Sequence, residues 1–112
     1  MNIGNPPSWR KALSALELTQ GVTVSVSDEE IMMAKGVIDR SGIGCEPASA
    51  ATVAGLKKLR TGGVIDKDET AVAILTGHML KDVDALEELY GEEIIKISGE
   101  PLSPEHIKEC LI

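Results

Sequence analysis

Residues 70–78 read Thr-Ala-Val-Ala-Ile-Leu-Thr-Gly-His, an apolar run that ends in a polar turn. A short apolar run bounded by polar turns is typical of a strand buried on both faces, as in a parallel sheet. Ligands of open α/β sheets bind just beyond the carboxyl ends of such strands. The stretch Thr76–His78 is therefore the first candidate for a functional site.

Other signals on either side of this run predict alternating helices and strands. Residues 22–26 are β-branched and alternate, which indicates a second strand. Ser27 and Glu30 have the spacing of a capping box, and Pro47 suits the first turn of a helix. Helices are expected over residues 9–19, from the Ser27 cap to about residue 41, over 48–60 and over 83–90. A weaker strand is expected over 93–98 and a final helix over 104–111.

This order of elements predicts an α/β fold, with layered helices around a partial parallel sheet. Only the strands at 22–26 and 70–75 are convincing, and two parallel strands buried on both faces are not a stable unit. Either weak segments around Ile43 and Ile94 supply further strands, or the sheet continues in polypeptide that is not part of this chain.

The composition limits the classes of protein to which this chain can belong. The 112 residues, of 11.9 kDa, form one domain at most, and the net charge of −7 disfavours nucleic acid and anionic membranes as partners. No apolar run approaches the length of a membrane span, and no secretory signal is visible. The two cysteines lie far apart and fit no CxxC spacing, so free thiols in a reducing, cytoplasmic setting are expected.

Three residues near the predicted sheet edge are candidates for chemistry. His78 could transfer protons, but a histidine after a strand is more often a structural hydrogen-bonding group. Cys45 has no nearby base in the sequence and is interpreted as a small buried hydrophobe. Glu46 either caps the amides at the start of the next helix or faces a ligand at the same sheet edge, and both readings stay open.

Three stretches of the chain resemble threonine synthase, a pyridoxal-phosphate enzyme of fold type II, similar to the tryptophan synthase β-subunit. They are Ile3–Pro6 with Ser8-Trp9, Gly44–Ala51, and Leu75–His78 with Leu80–Asp82. Their order agrees with the family over residues 2–83. The resemblance implies that residues 1–83 are the C-terminal part of a catalytic large domain, and it leaves residues 84–112 as an unassigned helix-strand-helix extension.

The resemblance also implies roles for individual residues at the cofactor. Thr76 matches the hydroxyl that hydrogen-bonds the pyridine nitrogen of pyridoxal 5'-phosphate. Ile3 and Gly4 match a loop close to the cofactor ring, and Glu46 matches a position that supports the groups touching it. His78 is expected to support the loop after the strand. No catalytic residue and no metal ligand are expected.

The resemblance further implies that essential parts of the enzyme are missing. In the family, the lysine that forms the Schiff base and the loop that holds the cofactor phosphate lie in the N-terminal two-thirds. We interpret all eight lysines here as polar or helix-surface residues, whereas a Schiff-base lysine needs a desolvated pocket. The chain alone is therefore expected to be inactive and to bind the cofactor weakly or not at all. The resemblance implies that, with the lysine-bearing part, it would convert O-phosphohomoserine and water to threonine and phosphate, and it suggests a homodimer for the complete enzyme.

Two alternatives remain. The chain could be a non-catalytic α/β module, derived from such an enzyme, that binds a partner or small ligand; the unassigned residues 84–112 favour this. It could also belong to a threonine dehydratase or cysteine synthase. Thr76 argues against the last, because cysteine synthases usually have serine at that position.

Overall fold

The computed structural model of the chain describes residues 4–94, 103–105 and 108. Residues 4–94 contain four α-helices and one short 3₁₀ helix, Met79–Lys81. The α-helices are α1 (Trp9–Thr19), α2 (Asp28–Arg40), α3 (Pro47–Thr61) and α4 (Val83–Tyr90). The four helices predicted before residue 91 are confirmed with closely matching ends. The strand predicted over 93–98 and the helix predicted over 104–111 lie mostly outside the described residues.

Helix α2 begins at the predicted capping box. The Ser27 hydroxyl accepts a hydrogen bond from the Glu30 amide at 3.1 Å, and the Ser27 amide donates to the Glu30 carboxylate at 2.7 Å. Two backbone amides that would otherwise lack a partner at the helix start are thereby satisfied. The acidic side chains of the first turn also suit the positive end of the helix dipole.

The core lies where α2 packs against α3. Ile31 and Ile38 of α2 meet Ala50 of α3, and Cys45 of the connecting loop completes the buried cluster. Small residues allow close approach, since a Cβ atom built on Gly55 of α3 would lie 3.2 Å from the Val24 side chain. Predicted burial of Cys45 is confirmed, because it is 0% exposed and its thiol is free.

Helix α1 contributes nothing to this core. Its predicted apolar face includes Trp9 and Leu13, and these side chains are 47% and 50% exposed. No residue of α1 is buried. Since an amphipathic helix is stabilised mainly by burying its apolar face, α1 lacks most of that stabilisation here.

The predicted parallel sheet is not confirmed, since the described residues contain no strand. Segments 22–26 and 70–75 are neither helical nor paired, and Ile43 and Ile94 likewise lie outside any strand. A strand exists only through hydrogen bonds to a neighbouring strand. Both segments have strand-like sequences, but within the described part of the chain neither has a strand beside it.

An open apolar groove of about 820 Å³ lies beside these two segments. Val24 and Val26 line it on one side and Ala71–Ile74 on another, with Gly55 and Leu59 of α3 also contributing. Val72 and Ile74 are 86% and 71% exposed. The Cα radius of gyration is 18.3 Å, whereas a compact domain of this length has about 13 Å. The chain is therefore more open than a self-contained domain of its size.

Among the described residues, no helix is both long and apolar enough to cross a membrane.

Candidate functional site

The start of α3 holds the turn that follows segment 70–75. Ser49, the third residue of α3, is 2% exposed. Its hydroxyl oxygen accepts hydrogen bonds from the Thr76 amide at 3.0 Å and the Gly77 amide at 2.9 Å. The same oxygen lies 3.2 Å from the Thr76 hydroxyl. Ser49 therefore fixes both the backbone and the side chain of Thr76, which is itself exposed.

Glu46 contacts the same turn from the residue before α3. Its amide donates to the Gly77 carbonyl at 3.0 Å. A Cβ atom on Gly77 would lie 1.9 Å from the Glu46 Cδ, so glycine lets the carboxylate side chain pack against the backbone here. A carboxylate oxygen of Glu46 lies 3.8 Å from the Lys81 ammonium.

The structure tests one of the two interpretations of Glu46, namely that its side chain caps α3. It is the N-cap residue of α3, but its side chain makes no capping hydrogen bond, so the expectation that it caps the first amides is wrong. Pro47 has no amide hydrogen to cap, and the Ser49 and Ala50 amides donate to the Glu46 backbone carbonyl instead. Whether Glu46 serves a cofactor stays a prediction.

His78 has the local structural role predicted for it. Its Nδ1 accepts a hydrogen bond from the Leu80 amide at 3.2 Å and so caps the 3₁₀ helix. Asp82 similarly accepts from the Ala85 amide and caps α4. The 3₁₀ helix packs closely against the loop before α3. Gly44 of that loop has a φ of +64°, and a Cβ atom there would lie 2.7 Å from the Met79 sulfur.

A buried ion pair holds the loop between α2 and α3. The Lys35 ammonium is 0% exposed and donates to the Asp39 carboxylate at 2.6 Å and to the Cys45 carbonyl at 2.9 Å. The other oxygen of Asp39 accepts from the Cys45 amide at 3.3 Å. The Tyr90 hydroxyl lies 3.4 Å from Asp39 and ties α4 to the same pair.

This ion pair corrects the interpretation of the lysines as polar or surface residues, since Lys35 is fully buried. Lysines are rarely buried unless paired, and here Asp39 and the Cys45 carbonyl supply the partners. The Lys35 ammonium donates hydrogen bonds to a carboxylate and a carbonyl, so its burial does not make it a free amine for a carbonyl substrate.

Burial near Asp39 also affects two weak acids. Desolvation, and then the negative charge of Asp39, raise the pKa of the Cys45 thiol. The same two causes, in the same order, raise the pKa of the Tyr90 hydroxyl. Both groups are thus held in their neutral forms. Cys45 is accordingly a poor nucleophile in the folded chain.

The structure brings together only some of the predicted cofactor residues. Thr76 and Glu46 lie on adjoining parts of one site, joined through Ser49 and Gly77. Gly4 is exposed, and no atom lies within 4 Å of the position of its Cβ, so no contact joins it to this site. Ile3 lies outside the described residues.

Sequence reasoning missed Ser49, Lys35 and Asp39. The run of small residues at 48–51 indicated close approach of the α3 backbone to something, but not that Ser49 would bind a turn 27 residues away. Lys35 and Asp39 are four residues apart, the spacing of an ordinary surface pair on a helix. The available signal was the position of Lys35 between Ile31 and Ile38 on the buried face of α2.

Comparison with known proteins identifies relatives of one kind, although no family model matches the chain. The chain is 54% identical over 93 residues to the threonine synthase of Methanosarcina acetivorans, a match of 79% of this chain and 23% of that protein. It is 50% identical over 106 residues to the threonine synthase of Methanocaldococcus jannaschii, covering 94% of this chain and 24% of the relative. It is 37% identical over 112 residues to that of Mycobacterium tuberculosis, covering 99% of this chain and 30% of the relative.

The chain thus spans about a quarter of the length of the curated relatives that it matches. Identities of this size over most of the chain place it in the threonine synthase family, where it corresponds to a C-terminal portion of the longer relatives.

Proposed function

We propose that this chain forms the pyridine-ring side of the pyridoxal 5'-phosphate site of a threonine synthase. In this proposal a lysine-bearing part supplies the rest of the site, and together they act as a lyase on O-phosphohomoserine, which with water gives threonine and phosphate. The observation that carries the proposal is Thr76, an exposed residue whose amide and hydroxyl are both held by Ser49. Sequence similarity to threonine synthases, from which the role of Thr76 is carried over, also supports it.

The chemistry of the donor set fits one edge of this cofactor. A neutral hydroxyl donates a hydrogen bond to an unprotonated pyridine nitrogen, whereas an aspartate would keep that nitrogen protonated. When bound, the cofactor supplies an electron sink for β-replacement and elimination, and a hydroxyl partner moderates that sink. Thr76 would orient the ring through its nitrogen.

Supporting residues would keep Thr76 in place. Glu46 would act on the backbone of the turn, where its amide already donates to Gly77, and Lys81 would balance its charge. We propose that Ile3 and Gly4 approach the ring in the complete enzyme, where the Gly4 backbone could come close because no side chain intervenes. We also propose a cytoplasmic location and a homodimer.

The Schiff-base lysine is proposed to come from elsewhere. Lys35 is buried, but its ammonium is held by Asp39 and the Cys45 carbonyl. Lys58 contacts the Ser25 carbonyl and the Glu30 carboxylate, and Lys81 is largely exposed beside Glu46. None has the desolvated, unpaired surroundings that a reactive amine requires.

Phosphate release from O-phosphohomoserine tests the proposal. We expect none from the folded chain with added pyridoxal phosphate. Release should appear when the unmatched portion of the Methanosarcina acetivorans enzyme is added in trans. Thr76→Ala should lower that activity by about 100-fold, as expected for loss of a group that positions the reacting system. Thr76→Ser should retain most of it.

Thr70→Ala is a matched control, because Thr70 is an exposed threonine at the other end of segment 70–75. It should leave the activity unchanged. Release by the chain alone would show that one of its own lysines reacts. Release in trans that is insensitive to Thr76→Ala would exclude the proposed role of Thr76. A chain that folds cooperatively but neither binds the second portion nor supports release would favour a non-catalytic binding module.

A further inference from the structure

We propose that Ser49 is a positioning residue that keeps the hydroxyl proton of Thr76 available for an outside acceptor. The direction of the Ser49–Thr76 hydrogen bond follows from the contacts of the chain alone. Its consequence for a pyridine nitrogen rests on the proposed function. The two parts are therefore tested separately.

The direction follows from counting donors and acceptors on Ser49. A serine hydroxyl has one proton and two lone pairs. The Thr76 amide and the Gly77 amide donate to the Ser49 oxygen at 3.0 and 2.9 Å, which occupies both lone pairs. The oxygen therefore cannot accept a third hydrogen bond. At the 3.2 Å contact between the two hydroxyls, Ser49 must be the donor and Thr76 the acceptor.

Burial makes this arrangement firm. Ser49 is 2% exposed, so water does not compete for its proton, and no buried side-chain oxygen or nitrogen among the described residues lacks a partner. A proton left without an acceptor at such a buried position would destabilise the folded chain. Thr76, in contrast, is an exposed residue, and accepting from Ser49 leaves its own proton for an acceptor outside the chain.

Accepting from Ser49 also strengthens the Thr76 hydroxyl as a donor, because hydrogen bonds in a chain polarise one another. An unprotonated pyridine nitrogen accepts such a hydrogen bond. A protonated nitrogen would instead have to donate to the one lone pair that Thr76 has left. Ser49 would thus favour the unprotonated ring without touching it.

The first experiment is NMR on the full chain with 13C at the β-carbons of serine and threonine, in an equal mixture of H₂O and D₂O. A slowly exchanging hydroxyl proton splits the signal of its own β-carbon into two lines, and a rapidly exchanging one gives a single line. We expect two lines for Ser49 and one for Thr76. Ser49→Ala and Thr76→Val assign the signals.

Every other pattern contradicts the proposal, in its direction or in the availability of the Thr76 proton. Two lines for Thr76 alone would mean that Thr76 donates to Ser49. Two lines for both would mean that the Thr76 proton is also sequestered. Single lines for both would mean that the buried hydrogen bond does not form. Ser49→Thr, which keeps the hydroxyl but removes the serine signal, gives a second assignment, so the measurement stands even if Ser49→Ala fails to fold.

The second experiment follows the ring nitrogen of 15N-labelled pyridoxal phosphate, bound to the chain together with the lysine-bearing portion, as the pH is varied. Ser49→Ala should raise the pH at which that nitrogen protonates by about half to one unit, which corresponds to one hydrogen bond. Ser49→Thr, which keeps the hydroxyl, should restore the original value. An unchanged titration in Ser49→Ala, with the cofactor bound, would overturn the positioning role.

Failure of the proposed function gives a different result. If the unsubstituted assembly binds no pyridoxal phosphate, the cofactor role of Thr76 fails, while the NMR pattern still decides the direction of the Ser49–Thr76 hydrogen bond.

Discussion

Lys35 and Asp39 show how a single pair of side chains organises the loop that leads into the site. Their ion pair is buried, with side chains 0% and 6% exposed, and it satisfies both the amide and the carbonyl of Cys45. A buried pair of this kind need not stabilise the protein more than apolar residues would, but breaking it leaves an uncompensated charge. The pair therefore matters most for the geometry of the loop.

A double-mutant cycle tests this interpretation. Asp39→Asn should lower the free energy of unfolding by about 3–5 kcal/mol, because Lys35 would remain buried without its counter-charge. Lys35→Met should also destabilise the chain. The double variant should lose less than the sum of the two, since neither charge is then stranded. Urea denaturation followed by circular dichroism measures all three, and additive losses would contradict the coupling.

At the scale of elements, the connection between α2 and α3 depends on glycines with positive φ. Gly42 and Gly44 have φ values of +80° and +64°, but only Gly44 is crowded, by Met79. Gly42→Ala should cost about 1–2 kcal/mol of unfolding free energy, the penalty for a left-handed non-glycine residue. Gly44→Ala should cost more, and Met79→Ala should remove that excess. Equal losses for both glycines would show that the 3₁₀ helix does not press on this loop.

The capping box of α2 gives the chain a predictable dependence on pH. The hydrogen bond from the Ser27 amide, the largest cause, lowers the pKa of the Glu30 carboxyl below its ordinary value. The unfolded chain therefore binds this proton more readily. The contribution of Glu30 is present above its unfolded pKa and is lost as the pH falls through its lower folded pKa.

In Glu30→Gln, the urea midpoint of unfolding should fall less than in the unsubstituted chain as the pH is lowered from 6. Glu29→Gln is the matched control, because Glu29 is an exposed acidic residue of the same turn. If both variants flatten the curve equally, general charge and not the capping box is responsible.

Features fixed by neighbouring residues were predictable from the sequence, whereas contacts between distant segments were not. Helix ends were predictable because caps are local: Ser27 and Glu30 are three residues apart, and Pro47 acts on its own turn. Thr76 was recognisable by its place after an apolar run. Its attachment to Ser49 was not, because that contact depends on how α3 packs. The sheet is not confirmed within the described residues, because a strand needs a neighbour, and sequence patterns describe a segment without showing whether its partner is present.

Over the whole molecule, the open groove beside segments 22–26 and 70–75 leads us to expect that a bound partner stabilises the chain. Exposed Val72 and Ile74 line it, and α1 buries nothing. We expect the chain alone to bind the dye ANS at this groove, because apolar surface is exposed there, while the core between α2 and α3 stays packed. Adding the lysine-bearing portion of a threonine synthase should abolish ANS binding and raise the unfolding temperature.

Cys45 reports on this stabilisation directly. Its thiol is buried between α2 and α3, and burial raises its pKa, so a maleimide should react only when the helices open. With Cys110→Ser removing the other thiol, the labelling rate should fall by about 100-fold when the added portion is present at 100 times its dissociation constant. Val72→Asp should weaken that protection by placing a charge on the groove, whereas Glu69→Asp, an exposed substitution beside the same segment, should not. Labelling that is slow in the isolated chain and unchanged by the added portion, with no ANS binding, would instead describe a module that is stable by itself, because the groove would then need no partner.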